Sequence, residues 1–223
     1  MMIAIDGPAG AGKSEISRGL AAKLGFAYLD TGAMYRTVAL YMLRNGIDPQ
    51  DEQTVSAHCG EADVRVAYRD GAQRTMLGGE DVSDLIRTGE VSAAASAISK
   101  WPAVRRRMVA AQREIAATAD MLIDGRDIGT RVLIDAPVKI FLTATPEERA
   151  RRRYRQQIEK GDMTPYEQVL AELNARDAQD MNRKTDPLRQ AEDAVLVDST
   201  NMTPEQVVDA IIAVVEDVYG KRA

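Results

Sequence analysis

The chain has 223 residues, of which 45% are hydrophobic and 28% are charged, and its formal net charge is −5 at pH 7. This composition predicts a soluble globular protein with a core of its own, and it excludes collagen-like, disordered and disulfide-scaffold classes. One cysteine, Cys59, and one histidine, His58, are too few for an internal disulfide, a Cys/His zinc set or Ser-His-Asp catalysis.

The sequence argues against a membrane or nucleic-acid partner. No apolar run approaches the ~18 residues of a membrane span, and the run from Met2 to Ile5 is far shorter than that of a signal peptide. The negative net charge argues mildly against nucleic-acid binding driven by bulk charge. We therefore expect a cytoplasmic monomer that acts on small molecules.

Five short apolar runs predict β-strands. They are continuous rather than alternating, and helical patterns separate them, which is typical of a parallel sheet covered by helices on both faces. In chain order the runs are Met2 to Ile5, Phe26 to Leu29, Met121 to Ile123, Val138 to Leu142 and Ala194 to Val197. The expected fold is α/β, with a five-stranded parallel sheet flanked by helices.

Helix signals lie between these runs. Ile16, Leu20 and Leu24 recur every four residues before Gly25, so the first helix is predicted to begin at Lys13 and to end at Leu24. Further helical patterns cover Glu90 to Lys100 and Ala103 to Ala119, with Pro102 between them. Three Thr-Pro steps, each with Glu or Gln three residues after the threonine, predict capping boxes at Thr145, Thr164 and Thr203.

One segment departs from the alternation of strands and helices. Apolar and polar residues alternate over 64–68, and Asp70 with Gly71 predicts a turn before a second short strand over 75–77. This pattern predicts an antiparallel hairpin inserted beside the main sheet.

The strongest signal is a complete GxxxxGK[ST] phosphate loop between the first strand and the first helix. In such a loop, backbone N–H groups face the β-phosphate, Lys13 bridges the β- and γ-phosphates, and the Ser14 hydroxyl binds Mg²⁺. The sequence therefore predicts a nucleoside triphosphate site with Mg²⁺. The residues expected to bind the nucleotide are Gly7, Pro8, Ala9, Gly10, Ala11, Gly12, Lys13, Ser14 and Glu15.

A phosphate loop by itself does not distinguish kinases, GTPases, motor ATPases and nucleotide sensors. A GTPase needs an NKxD segment, which residues 182–186 match only in scrambled order. A motor ATPase carries Asp-Glu after a long apolar strand, whereas the strand here is followed by Asp124, Gly125, Arg126 and Asp127. An arginine in place of a water-activating base favours phosphoryl transfer to an anionic acceptor.

Three blocks together resemble the bacterial cytidylate kinases, which are nucleoside monophosphate kinases with a phosphate loop. The blocks are Asp30 to Arg36, Asp124 to Thr130 and Ala175 to Arg183. Ser14 and Thr31 replace the glycine and serine that are frequent in the family, but Ser14 suits the Mg²⁺ role and Thr31 keeps a hydroxyl. The resemblance covers essentially the whole chain.

The resemblance implies one kinase domain over residues 1–223. Residues of about 61–100 then form the inserted segment that binds the nucleoside monophosphate, and residues of about 150–164 form a short lid. The implied reaction is transfer of the γ-phosphoryl group of ATP to CMP and dCMP, which yields ADP with CDP or dCDP in pyrimidine nucleotide metabolism.

This reaction suits a site rich in arginine and poor in histidine. The acceptor oxygen is already anionic at neutral pH, so catalysis depends on alignment and on neutralising crowded negative charge rather than on a general base. The residues implied to act on the transferring group are Lys13, Arg126, Arg176 and Arg183. By the same resemblance, Asp124 orients the waters of Mg²⁺ beside Ser14.

The resemblance also implies a binding site for the acceptor. The residues assigned to it are Thr31, Tyr35, Arg36, Ser96, Arg105, Arg126, Asp127, Arg176 and Asp180. Those implied to read the cytosine edge are Ser96, Arg105 and Asp127. Those implied to hold the sugar are Tyr35, Arg176 and Asp180. Those implied to grip the phosphate are Arg36, Arg126 and either Arg176 or Arg183.

Several of these assignments have a purely structural alternative. Ser96 lies in an alanine-rich helix and Tyr35 on another helix, so both are candidates for simple packing. Asp180 has the spacing for an i,i+4 surface pair with Lys184. Arg105 is followed by two further arginines on one helix, and adjacent helical residues point in different directions, so one of the three at most faces the site.

A run of arginines follows Thr145. Its members are Arg149, Arg151, Arg152, Arg153 and Arg155. One interpretation is a solvated helical face, and the other is a lid that closes over ATP and expels water. Because these residues do not all face one side of a helix, we predict that Arg152 and Arg155 contact ATP.

Two other functions remain open at this level. One is another small-molecule kinase, which would act on AMP, UMP or a metabolite hydroxyl. The other is a nucleotide sensor without enzymatic activity, whose arginines would bind an acidic surface of a partner.

Overall fold

The computed structural model of the chain describes residues 1–69, 71–159 and 161–220. Asp70 of the predicted turn lies outside these ranges, as does residue 160 of the predicted lid.

The chain divides into two compact units. The first comprises residues 1–26 and the chain from Leu122 onward, and the second comprises residues 27–121. The second unit is therefore wider than the insertion expected over residues 61–100. The assignment of a single kinase domain with that insertion stays a prediction.

The strands of the described residues belong to two sheets. They are β1 Met2–Asp6, β2 Ala27–Asp30, β3 Val64–Arg69, β4 Ala72–Leu77, β5 Glu80–Asp81, β6 Met121–Gly125, β7 Val138–Thr143 and β8 Val195–Asp198. The larger sheet has five parallel strands in the order β2-β6-β1-β7-β8. Each of the five predicted strands lies within two residues of its expected bounds, so the predicted α/β fold with a five-stranded parallel sheet is confirmed.

Helices account for most of the remaining chain. They are α1 Lys13–Leu24, α2 Thr31–Arg44, α3 Glu52–His58, α4 Gly89–Ile98, α5 Pro102–Ala116, α6 Pro146–Glu159, α7 Tyr166–Asn182 and α8 Pro204–Tyr219, with short turns of other helix types at Leu85–Arg87 and Ile128–Val132. Helix α1 has the predicted bounds. Among the described residues, no helix is both long and apolar enough to cross a membrane.

The central strands are buried on both faces, which explains why they read as continuous apolar runs. Ile3 and Ile5 on β1 and Ile123 on β6 have no solvent exposure. Strand β1 pairs in parallel with β7, with Ile5 opposite Ile140. At the carboxyl ends of such strands the chain leaves the apolar core, and this edge is where α/β proteins bind ligands.

Of the three predicted capping boxes, one is complete, one forms by half and one does not form. At Thr203 the box is complete, because Gln206 N donates to Thr203 Oγ1 and Thr203 N donates to the Gln206 side chain at 2.9 Å. At Thr145 half of it forms, since Glu148 N donates to Thr145 Oγ1 while the Glu148 carboxylate accepts from Arg152 at 3.1 Å. The other half is replaced on both sides, because the Thr145 N–H donates to Thr200 Oγ1 at 3.0 Å while the glutamate pairs with the arginine.

The capping box predicted at Thr164 is wrong. The Thr164 hydroxyl and N–H both donate to Asp162, at 2.6 and 3.0 Å. An aspartate two residues upstream therefore engages the hydroxyl, and α7 begins at Tyr166 without a side-chain cap.

The predicted hairpin forms in the second unit, and it is larger than expected. Strands β3 and β4 pair antiparallel with Val64 opposite Leu77, and β5 adds to β4 with Met76 opposite Asp81. Strand β5 was not predicted, because it has two residues and no apolar alternation. Gly78 has a positive φ of 55° at the turn that returns the chain.

Candidate active site

The phosphate loop lies between β1 and α1, as its motif predicts. A Cβ atom on Gly7 would lie 1.9 Å from the carbonyl oxygen of Leu142 on β7, so glycine is required there by close approach. Gly12 precedes α1 with a φ of 86°, in the left-handed region that favours glycine. These two positions let the chain turn tightly from the end of β1 into the helix.

Lys13 is folded back over this loop. Its Nζ donates to the carbonyl oxygens of Gly7 and Pro8, both at 2.7 Å, and the residue is 6% exposed. Burial lowers the pKa of Lys13 well below its ordinary value, and the charge of Arg126 lowers it further. A negatively charged ligand in the loop would therefore stabilise the charged form of Lys13.

Ser14 and Asp124 place a hydroxyl and a carboxylate beside the loop. The Ser14 hydroxyl donates to Asp124 Oδ2 at 2.9 Å, and Asp124 is a buried residue of β6. A hydroxyl next to a carboxylate fits Mg²⁺, which takes one or two protein oxygens and completes its shell with water and phosphate. The described residues contain no cluster of three or more His, Cys, Asp or Glu that would bind a metal without a substrate.

Arginines and carboxylates from the end of β6 and from α7 form one cluster in the first unit. Arg126 Nε donates to Asp180 Oδ2 at 2.9 Å. Arg183 Nη2 donates to Asp127 Oδ1 at 3.4 Å, and Arg183 Nη1 lies 3.6 Å from Asp180 Oδ1. We call Arg126, Asp127, Arg176, Asp180 and Arg183 the arginine cluster.

Asp180 stands at the centre of this cluster. Burial alone would raise its pKa, but the charges of Arg126, Arg176 and Arg183 hold the pKa below its ordinary value. The carboxylate is therefore ionised at neutral pH and orients guanidinium groups. The alternative of an exposed pair with Lys184 does not describe this residue, because Asp180 is buried and its ion pairs are with Arg126 and Arg183.

Sequence reasoning missed Asp6, the last residue of β1. Its two carboxylate oxygens accept from the N–H groups of Ile128 and Gly129, each at 2.7 Å. Burial raises the pKa of Asp6 to about 6, although these two hydrogen bonds oppose the rise. Asp6 thus fixes the segment that follows Arg126 and Asp127. The sequence signal that could have identified Asp6 is its position directly before Gly7, the first residue of the phosphate loop.

We predict that Asp6→Asn alters the pH dependence of stability. Because the folded pKa of about 6 exceeds the ordinary 3.8, the folded state binds this proton more tightly than the unfolded chain. The stabilisation is complete below the unfolded pKa and is lost as the pH rises through 6, a change of about 3 kcal/mol. Asparagine does not titrate, so the free energy of unfolding of wild type, measured with urea from pH 4 to 7, should fall relative to that of the variant as the pH rises. A constant difference would contradict the prediction.

The arginines of α6 occupy different environments. Arg149 reaches the phosphate loop, where its Nη1 donates to the Ala9 carbonyl at 2.8 Å. Arg152 donates to the carbonyl of Ser199 at 2.5 Å and to Glu148. Arg155 is exposed. The assignment of Arg152 and Arg155 to ATP stays a prediction. Arg149, which was not predicted to bind there, is the arginine of α6 that contacts the phosphate loop.

Other predicted acceptor residues belong to the second unit. Thr31 and Arg36 lie on α2, whose N-cap Asp30 accepts from Ala33 N and from Arg36 Nη2, each at 2.9 Å. Arg36 Nε is buried and has no hydrogen-bond partner among the residues that the structure describes. A Cβ on Gly32 would lie 3.1 Å from Arg36 Nη1, so glycine leaves the space in which the arginine folds back.

Arg105 and Tyr35 lie close together in the same unit. The Arg105 guanidinium is 5.8 Å from the centre of the Tyr35 ring, and its Nη1 donates to the Ser99 carbonyl at 3.2 Å. Of the three adjacent arginines on α5, Arg105 is 1% exposed and the next residue, Arg106, is exposed. Ser96 is half-buried on α4.

Comparison with known proteins gives the family. The family model for cytidylate kinase matches residues 3–217. A cytidylate kinase of Mycobacterium avium is 53% identical over 210 residues, which cover 94% of this chain and 92% of that protein. A cytidylate kinase of Mycobacterium leprae is 50% identical and covers 99% of this chain and 97% of that protein. A cytidylate kinase of Caldicellulosiruptor bescii is 49% identical, with 94% and 93% covered.

A solved structure shares the fold. The crystal structure of an uncharacterized protein from Eubacterium ventriosum matches with a TM-score of 0.55 at 12% identity, over 97% of this chain and 98% of that chain. At this identity the likeness concerns the fold alone. The sequence relationships are far stronger, and they confirm the family and the kinase class predicted from the three sequence blocks. The chain belongs to the cytidylate kinase family.

Proposed function

We propose that this chain transfers the γ-phosphoryl group of ATP to CMP and dCMP, with Mg²⁺, and releases ADP with CDP or dCDP. The observation that carries the proposal is the partly buried ion pair of Arg126 with Asp180, in the same unit as a phosphate loop with its lysine. Together they provide fixed positive charge for a donor and an acceptor that are both anionic. Membership of the cytidylate kinase family supports cytidylate as the acceptor.

The donor is bound by the phosphate loop in this proposal. Backbone N–H groups of residues 10–13 and the N-terminus of α1 meet the β-phosphate. Lys13 leaves the carbonyls of Gly7 and Pro8 and bridges the β- and γ-phosphates. Ser14 and Asp124 would hold Mg²⁺, which when bound neutralises charge on the phosphate oxygens.

The acceptor is bound by arginines that carboxylates orient. Arg126 and Arg183 are held by Asp180, and Arg36 is held by Asp30. The Nε of Arg36, which has no hydrogen-bond partner within the described ranges, is a further donor for the acceptor phosphate. No proton acceptor is required, because the attacking phosphate oxygen is already ionised, and the reaction rate depends on alignment and charge neutralisation.

The remaining roles follow the family pattern. In this proposal Ser96, Arg105 and Asp127 read the cytosine edge. A carboxylate accepts from the exocyclic amine of cytosine, and it would face an acceptor oxygen in uracil. An unpaired buried polar group costs about 1–3 kcal/mol, which gives roughly tenfold to hundredfold discrimination for each contact. The residues proposed for the sugar are Tyr35, Arg176 and Asp180, and Thr31 is a further residue proposed for binding of the acceptor.

An acceptor screen tests the proposal. The purified chain, with ATP and Mg²⁺, is incubated in parallel with CMP, dCMP, UMP, AMP and GMP, and ADP formation is measured. We expect the highest kcat/KM for CMP and dCMP. Preference for AMP or UMP would assign another acceptor, and tight ATP binding without turnover of any acceptor would indicate a nucleotide sensor.

The Ser14 side chain is expected to set the Mg²⁺ requirement. Ser14→Ala removes one oxygen ligand while Asp124, water and phosphate remain, so the Mg²⁺ concentration for half-maximal activity should rise about tenfold. Ser17→Ala is the matched control, because Ser17 is a buried serine one turn later on α1. Equal Mg²⁺ titrations for Ser14→Ala and wild type would count against the role.

We further propose that the protein is a cytoplasmic monomer. The absence of a membrane-spanning helix among the described residues is compatible with this proposal. Light scattering of the purified chain at micromolar concentration tests the monomer, and a mass of twice the chain would contradict it.

A further inference from the structure

The peptide group of Ala9, in the phosphate loop, is held on both sides by charged side chains. Its N–H donates to Asp177 Oδ1 at 3.1 Å, and its carbonyl accepts from Arg149 Nη1 at 2.8 Å. The same Arg149 Nη1 also donates to Asp177 Oδ2. These hydrogen bonds close a ring, which we call the Ala9 clamp: Ala9, Arg149 and Asp177.

The clamp is buried and is built from two helices. Arg149, in the first turn of α6, is 4% exposed, and its Nε donates to the Ala144 carbonyl at 2.9 Å. Asp177, on α7, is 6% exposed. A buried ion pair is weak evidence for stability, because the desolvation of both charges offsets most of their attraction. The geometry of the pair around one peptide group points instead to a role in the loop.

The same helices pack against the loop without charges. A Cβ on Gly10 would lie 3.2 Å from Arg149 Cβ and 3.3 Å from the Arg149 carbonyl oxygen. Ala9 belongs to a buried apolar cluster whose other members are Ala150, Val169 and Leu173. Apolar contacts hold the loop against α6 and α7 but do not fix the rotation of a peptide group, whereas the two directional hydrogen bonds of the clamp do.

The clamp also neutralises a negative charge that would lie behind the anion site. A phosphate loop works by presenting successive backbone N–H groups to an anion. Asp177 takes up the N–H of Ala9, yet a bare carboxylate behind an anion site would repel the ligand. Arg149 cancels this charge within the same ring of hydrogen bonds.

We infer that Arg149 and Asp177 are positioning residues for the β-phosphate of the nucleotide. They fix the orientation of the Ala9 peptide group, whose N–H points to Asp177 rather than to the ligand. The N–H groups that follow, those of residues 10–13, are thereby directed toward the phosphate. The clamp also ties the loop to the first turn of α6 and to α7. This inference rests on the proposed function of the loop as the ATP site.

Ligand binding to Asp177→Asn tests the inference. Asparagine keeps the size of the side chain and an acceptor for Ala9 N, but it removes the charge that orders Arg149. Dissociation constants are measured for ADP, adenosine and CMP, by calorimetry for the nucleotides and by competition for adenosine. We expect ADP to bind about 10- to 100-fold more weakly, because a small misplacement of the donors has effects of this size. Binding of adenosine and CMP should stay within about twofold of wild type.

Asp193→Asn is the matched control. Asp193 also accepts from a buried cation of the same unit, Lys139 on β7, at 2.6 Å, but it does not touch the phosphate loop. This variant should bind all three ligands as wild type does. If Asp177→Asn does not fold, Arg149→Lys carries the same comparison, since lysine keeps the charge and lacks the forked donors that join Ala9 to Ala144.

The outcomes separate the inference from the function on which it rests. Wild type that binds ADP no more tightly than adenosine would overturn the ATP site itself, and the inference with it. Wild type that prefers ADP, together with a folded clamp variant of unchanged ADP affinity, would overturn the inference alone. An equal loss of ADP, adenosine and CMP binding would also overturn it, because a general structural defect is not specific for the β-phosphate.

Discussion

Replacing Lys13 with alanine is expected to lower the rate of phosphoryl transfer about 10³-fold or more, because the lysine meets charge that grows between the β- and γ-phosphates. The fold should survive. The hydrogen bonds lost are those of the charged Nζ to the carbonyls of Gly7 and Pro8, each worth about 1.5–3 kcal/mol, and the desolvation cost of the buried cation, which opposes them, is lost as well. Single-turnover kinetics with CMP measure the rate, and thermal unfolding verifies the fold.

Lys23→Ala is the control for this variant. Lys23 lies in the last turn of the same helix, and its side chain is 55% exposed, 3.7 Å from Asp209. Loss of this surface pair should leave the transfer rate unchanged, because exposed pairs contribute little. Turnover of Lys13→Ala at the wild-type rate would falsify the assignment of the phosphate loop.

The second large effect is expected at Asp180. Asp180→Ala removes the carboxylate that holds Arg126 and Arg183, so these guanidinium groups lose the orientation that the proposed function requires of them. The loss of one hydrogen bond to a charged group is worth about 1.5–3 kcal/mol, which predicts a fall in kcat/KM for CMP and dCMP of roughly 10- to 150-fold. ADP affinity measured without acceptor should barely change.

Two further variants sharpen this experiment. Asp180→Asn keeps the volume and removes the charge, so a similar loss would assign the effect to electrostatics rather than to a cavity. Glu172→Gln removes an exposed charge from the same helix and should be neutral. If Asp180→Ala instead weakened ADP binding and kept its CMP kinetics, Asp180 would belong to the donor side.

The local sequence determined the strands of the parallel sheet, helix α1 and the phosphate loop, because the signal for each of them lies in neighbouring residues. The strands were predictable because β1 and β6 are buried on both faces and begin with continuous apolar runs, which end at Ile5 and Ile123. Helix α1 was predictable from its four-residue apolar spacing and from Gly25, whose φ of 68° ends it. The phosphate loop is a contiguous motif, and the three blocks identified the family on residue identity alone.

Tertiary structure decided which charged residues are buried and what they hold. Asp6 accepts from a residue 122 positions away, and Arg149 donates to one 140 positions away. No local period marks such contacts, so Arg149 was one of five similar arginines in the sequence. Thr164 differs, because its hydroxyl was expected to cap α7 and instead donates to Asp162, only two residues upstream. There the sequence offered two local arrangements, and the folded chain adopts one of them. For the buried charges of Asp6 and Arg149, in contrast, the partner is set by the packing of elements that are remote in the sequence.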